Sequence, residues 1–160
     1  MRFPRAIRFD ESDTRIFERA ASPGEWAIPG TFVFADADPE TLTGKVRQAF
    51  AYGFLGIGSF GWSTFVEVDN ISEAAYEATL EVLAGYLLDH FGAPDREAAL
   101  SAARAEAEYA AGLCEHERRT LLAVERSFGE DGIVERFKVI HGTSDPDHPQ
   151  AWTMTGDGDA

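Results

Sequence analysis

Cysteine is nearly absent. The chain carries one, Cys114, so no disulfide within the chain can hold the fold, and folding must rest on packing. Long apolar runs are missing too: the closest, Ala49 to Val66, is interrupted by four glycines and ends in strand-like alternation, so it does not supply the ~20 apolar residues of a membrane span. Positive charge is scarce. Lys and Arg number 14 against 28 Asp and Glu, a formal charge of −14, and both nucleic acid and an anionic membrane surface would be approached against a repulsive field. Neither is expected as a partner, whereas a cationic partner fits. The basic start Met1-Arg2-Phe3-Pro4-Arg5 is not followed by the apolar stretch of an export signal, since Arg5, Arg8, Asp10 and Glu11 interrupt at once, and the expected location is the cytoplasm.

What is present suffices for a core. Of 160 residues 44% are hydrophobic, with 12 Phe, 3 Trp and 4 Tyr, which excludes a wholly disordered chain and suits one domain. That domain is expected over residues 1–141. Gly142 to Ala160 is rich in Gly, Asp, Pro, Ser and Thr, closes with Gly156-Asp157-Gly158-Asp159, and reads as a flexible acidic tail (142–160) whose apolar anchors are Trp152 and Met154.

Phe3, Ile7 and Phe9 alternate with charged residues, and Arg15 to Arg19 resumes the pattern after Asp10 to Asp13, predicting a β-hairpin. A third strand is expected through Trp26, Ile28 and Thr31 to Phe34, with Pro29-Gly30 as a bulge or edge position. Asp38-Pro39-Glu40 reads as a helix start, followed by Leu42, Val46, Ala49, Phe50 and Gly53 at helical spacing. Trp62 to Val68 alternates as a strand. A long helix is then expected from a capping box at Asn70 and Glu73, with Tyr76, Leu80, Leu83, Leu87 and Phe91 on its buried face. Gly92-Ala93-Pro94 ends it and Asp95 caps the next, whose inner face of Leu100, Ala103, Ala107, Ala110 and Cys114 is mostly small; Arg104 and Glu108 form an i,i+4 pair on another face. Two helices of this kind form an antiparallel hairpin. Leu121 to Phe128 and Ile133 to Ile140 are two strands joined by the four-residue loop Gly129-Glu130-Asp131-Gly132. Strands first, helices inserted and strands last predict an α+β class: two layers, a mostly antiparallel sheet of about six strands, and three helices on one face.

Gly56-Ile57-Gly58-Ser59-Phe60-Gly61 matches G-x-G-x-x-G, yet a helix precedes it and a strand follows, so no helix N-terminus faces a phosphate. The loop is read as structural, with a softer reading as an aromatic binding lip formed by Phe54, Gly56, Gly58, Phe60, Gly61 and Trp62. Cys114-Glu115-His116-Glu117 is the densest run of reactive side chains, and the closing hairpin returns His141 towards His116. Cys114, His116 and His141 are therefore the candidates for a thiol nucleophile or a metal site, against the plainer reading of Cys114 as a buried small hydrophobe. His90 lies at the far end of the helical hairpin, and His148 falls in the tail. Glu97, Glu106, Glu108, Glu115 and Glu117 read as a solvated acidic face.

The segments Gly24 to Ala27, Gly44 to Phe50, Gly53 to Gly56 with Ser59 to Thr64, Phe91 to Asp95 and Leu113 to His116 together resemble a small proteobacterial family of unknown function, over residues 1 to about 141. The resemblance implies a genomic setting beside genes for molybdenum-dependent, formate-dehydrogenase-like enzymes and their maturation factors, and hence an accessory role. It carries no catalytic residues. The expectation is a non-catalytic accessory or binding protein, taking a protein partner or forming a homodimer rather than turning over a small substrate, with no cofactor. The alternative is a small enzyme or metal-binding protein using Cys114, His116 and His141.

Overall fold

The computed structural model describes residues 1–142 and 152–155. In chain order the elements are β1 (Arg2–Ile7), α1 (Ser12–Ile16), β2 (Ala27–Ile28), a 3-10 turn (Thr31–Phe34), α2 (Gly44–Tyr52), β3 (Phe54–Gly56), β4 (Trp62–Ser63), β5 (Phe65–Asn70), α3 (Glu73–His90), α4 (Arg96–Gly112), β6 (Leu121–Gly129), β7 (Gly132–Gly142) and β8 (Trp152–Thr155). The class is α+β with antiparallel strand pairing. The strands divide into two sheets rather than one: a five-stranded sheet in the order β1-β5-β6-β7-β8 and a three-stranded sheet in the order β2-β3-β4. No helix among the described residues is long and apolar enough to cross a membrane.

The division has a local cause at Thr64. Its backbone N–H and hydroxyl both go to the buried Asp13 carboxylate, at 3.3 and 2.7 Å, so its N–H is spent outside the strand ladder and β4 ends where β5 begins. Asp13 itself lies in α1, which takes the place of the second hairpin strand. The run Asp10-Glu11-Ser12-Asp13 favours this, because the Asp10 carboxylate accepts the Ser12 N–H and Thr14 Oγ1 donates to the Glu11 carbonyl. β1 pairs instead with β5, from Arg2 opposite Asn70 to Ile7 opposite Phe65.

Other boundaries move for similarly short-range reasons. The third strand stops at Ile28, since Gly30 turns the chain into the 3-10 segment. Asp38 makes a closed turn, its carboxylate accepting the Glu40 N–H, and extended Thr43 followed by left-handed Gly44 (φ +58°) delays α2 to Gly44. Val46 is then exposed while Ala49 and Phe50 are buried. Ser72, not Asn70, caps α3 by accepting the Ala75 N–H at 3.1 Å. Asp95 caps α4 as expected, accepting the Ala98 N–H at 2.8 Å.

Helices α3 and α4 form the antiparallel hairpin. Tyr76, Leu80, Leu83 and Leu87 of α3 meet Ala99, Ala103, Ala107 and Ala110 of α4 in one cluster with Phe3, Ile28 and Leu55. Each large side chain so buried is worth about 1.5–3 kcal/mol. Phe91 stays partly exposed, and Arg104 reaches across to Glu77 on α3 at 4.0 Å rather than along its own helix to Glu108. The closing hairpin runs from Leu121 opposite Ile140 to Gly129 opposite Gly132, so only Glu130 and Asp131 form its tip. β8 then pairs with β7, with Trp152 opposite Gly142. That strand falls within the stretch expected as tail; the rest of 143–160, with His148 and the closing acidic run, lies outside the described residues.

Candidate functional site

The six residues of the expected lip are drawn together, but as a packed hairpin. Phe54 and Gly56 lie in β3, fully buried, and Trp62 opens β4, with Leu55 opposite it. The turn between them closes with the Gly56 N–H on the Gly61 carbonyl and the Phe60 N–H on the Gly56 carbonyl, at 2.8 and 3.1 Å. Phe60 lies flat on Tyr86 of α3, ring centroids 3.7 Å apart.

An anion does occupy this glycine turn, and the chain provides it. Glu25 Oε1 accepts the Ser59 N–H at 3.0 Å and Oε2 accepts the Ser59 hydroxyl at 2.7 Å. A Cβ on Gly56 would lie 2.5 Å from the Glu25 carboxyl carbon, and one on Gly61 would lie 2.5 Å from the Ala20 backbone. The glycines therefore allow close approach of the chain's own carboxylate and backbone.

Cys114, His116 and His141 occupy different settings. Cys114 is 2% exposed among Ala27, Phe54, Val66, Val68, Leu122 and Val124, and burial alone pushes its thiol up to about 12. A thiol so placed stays protonated and is poorly set up for nucleophilic or metal chemistry. His116 is partly exposed just beyond the end of α4, and its backbone carbonyl accepts from Arg2. His141 sits in β7 opposite Thr153 of β8. Among the described residues no group of three or more His, Cys, Asp or Glu can hold a metal ion.

A different set of residues lines a cleft of about 340 Å³ between the 3-10 turn, α4 and β7. Its base is a buried charge network. Arg126 on β6, with no exposed side-chain surface, faces Glu135 on β7, its cross-strand partner, with Nε 3.0 Å from Oε1. Nε also donates to Thr31 Oγ1 at 2.9 Å, and the Thr31 hydroxyl donates to Glu135. One terminal nitrogen of Arg126 donates to the carbonyls of Phe50 and Gly53, at 2.9 and 2.8 Å, and the other donates to the Pro29 carbonyl. Arg126 thus satisfies the free carbonyls at the end of α2 and neutralises the negative end of its dipole.

The remaining carboxylate oxygen of Glu135 accepts the Tyr109 hydroxyl at 3.1 Å. Burial, reinforced by the Glu135 charge, holds the Tyr109 phenol up at about 12, so it remains a donor. Glu106, one turn earlier on α4, also lines the cleft; burial and then the Glu135 charge raise its carboxyl above the usual range. Among the described residues Glu106 has no hydrogen-bond or ion-pair partner, which sets it apart from the solvated face expected of it. Phe32, Pro29, Ala35 and Ile133 provide apolar walls. Desolvated, mutually repelling ionisable groups in a cleft mark a binding site with a physical rationale.

Sequence reasoning did not reach these five residues, Thr31, Glu106, Tyr109, Arg126 and Glu135. One signal was present. Leu122, Val124 and Arg126 share strand parity, so Arg126 falls on the core-facing side, and the hairpin register that sets Phe128 opposite Ile133 sets Arg126 opposite Glu135. A buried arginine with a cross-strand carboxylate was legible; the packing of α4 that brings Glu106 and Tyr109 to that pair was not.

No curated protein and no solved structure matches this chain significantly. A family model does match, over residues 1–151, most of the length and every element that builds the cleft. The chain belongs to that family, a family of unknown function (DUF6505).

Proposed function

We propose that this protein is a non-catalytic accessory or binding module and that the cleft between the 3-10 turn, α4 and β7 is its recognition site. One observation carries the reading: the cleft is framed by a fully bonded Arg126–Glu135–Thr31 network and holds, in Glu106, a half-buried carboxyl left without a partner among the described residues. The polar groups of the lining, on Thr31, Glu106, Tyr109 and Glu135, all stand on the 3-10 turn, α4 and β7, which suits a binding site. The resemblance to proteins encoded beside formate-dehydrogenase-like enzymes supports assistance to a cofactor-containing enzyme in the cytoplasm, with a partner protein or a second copy engaging this face. The formal charge of −14 favours a basic partner surface. The alternative built on Cys114, His116 and His141 is the weaker, because the thiol is enclosed by apolar side chains.

Nitrogen-15 NMR of the full chain, titrated separately with n-pentanol, n-pentylamine and pentanoate, tests the site. Shifts gathered on Thr31, Phe32, Tyr109 and Ile133 with at least one probe are expected. Shifts gathered elsewhere, or none with any probe, would overturn the reading.

A further inference from the structure

Resting on that reading of the cleft, we infer that the group it receives is an ammonium ion carried on a short apolar stem, from a free alkylamine or from a lysine side chain of a partner protein.

The charges in the cleft are unevenly spent. Glu135 has both oxygens engaged, one by Arg126 and Thr31 and the other by Tyr109. The Arg126 charge is consumed by Glu135 and by backbone carbonyls on α2 and before the 3-10 turn, and its side chain reaches no solvent. Among the described residues Glu106 is left as the uncompensated charge facing the cavity, in a chain already carrying −14. An anionic ligand would meet Glu106 and Glu135 together. A neutral hydroxyl would take one hydrogen bond and leave the carboxylate charge unbalanced. An ammonium ion matches the position, donating to Glu106 while its charge is shared with Glu135, and such charge-assisted bonds are about twice as strong as neutral ones.

The walls decide the stem. Pro29, Phe32, Ala35 and Ile133 are apolar and cannot solvate a second polar group, while Phe32 and Tyr109 add aromatic rings, a residue type whose faces attract cations, to the lining. The cavity, about 340 Å³, is at the small end of ligand sites, which run from about 300 to 1,000 Å³. A linear chain of a few carbons suits it.

The test compares affinities for the full chain by NMR or calorimetric titration. n-Pentylamine is expected to bind about tenfold tighter than n-pentanol, with pentanoate weakest, a ratio that follows from one charge-assisted bond in a partly desolvated site. Glu106→Gln is expected to bring the amine-to-alcohol ratio down to about unity while pentanol is still bound. Pentanol binding as tightly as pentylamine would overturn the ammonium inference and leave the cleft intact as a site. Failure of all three probes would remove both. Pentanol shifts retained on Phe32 and Ile133 in the Glu106→Gln variant show that it is folded, and the amine-to-alcohol ratio of the unaltered chain tests the inference whatever the variant does. The peptide acetyl-Gly-Lys-Gly-amide, against its norleucine counterpart, separates the sources. Lysine binding at least as tightly as pentylamine assigns the stem to a partner's side chain, and markedly weaker binding assigns it to a free amine.

Discussion

Replacing Arg126 by Met tests how much of the fold depends on one buried charge. Met is unbranched, uncharged and follows the Arg side chain as far as Nε, so the change keeps the apolar stem and removes the guanidinium end with its charge and donors. Its removal would leave Glu135 with only Thr31 and Tyr109, and strip the carbonyls of Phe50, Gly53 and Pro29 of a donor. Breaking a buried pair while its partner stays behind costs about 3–5 kcal/mol. A domain of this size has about 5–15 kcal/mol in total, so Arg126→Met should lose a large fraction of it. At about 2–4 °C per kcal/mol for 150–250 residues, the melting midpoint should fall by about 10 °C. Urea denaturation followed by tryptophan fluorescence measures the loss directly. Adding Glu135→Gln to Arg126→Met should recover part of the stability, because the orphaned carboxylate is then neutral. Hydrogen exchange should speed up first at the end of α2. A loss below about 1 kcal/mol, or no recovery in the double variant, would refute the claim that this network joins the sheet to α2.

Asp69 gives a pH prediction. Its carboxyl is held down at about 2, first by the Arg118 guanidinium at 2.6 Å and further by Arg5. A depressed folded value means stability that is fully present above the unfolded value near 3.8 and lost as pH falls through about 2. The guanidinium side chains are 40% and 50% exposed, so solvent screens the pairs and the contribution is about 1–2 kcal/mol. Asp69→Asn should therefore be less stable than the parent at pH 6, with the gap closing as pH falls from about 3.8 through about 2, as read by denaturation midpoints across pH. A gap that does not change with pH would contradict the assignment. For Cys114, Ellman's reagent at pH 8 should label the native protein no faster than it unfolds and label the urea-unfolded chain at once, since burial keeps the thiol protonated. Stoichiometric labelling of native protein within minutes would return Cys114 to the list of reactive residues.

Short-range physics was readable from the sequence. The long stripe of Tyr76, Leu80, Leu83 and Leu87, the Asp95 cap and the turn between Gly129 and Gly132 all express themselves within a few residues, and each is present in the fold, the α3 cap two residues later and the turn two residues tighter than the pattern alone gives. Errors came where two local signals competed. Asp10 to Asp13 is both turn-like and cap-like, and a distant donor, the Thr64 N–H, favours the helix that presents the Asp13 carboxylate to it. Asp38 satisfies its own turn instead of opening a helix. The carboxylate that sits in the glycine run, Glu25, lies more than thirty residues before its partner Ser59, and no spacing rule connects them.

By itself the sequence determined the α+β class, the helical hairpin with its small inner face, the closing β-hairpin and the acidic balance, because periodicity, caps and charge are properties of neighbouring residues or of simple sums. Only the tertiary structure decided that the strands split into two sheets, that Cys114 faces a dry core, and that Thr31, Glu106, Tyr109, Arg126 and Glu135 converge on one cleft. Those five come from a 3-10 turn, a helix and two strands. What places them together is the packing of α2 and α4 on the sheet, and what makes them a site is the desolvation that this packing imposes on their charges.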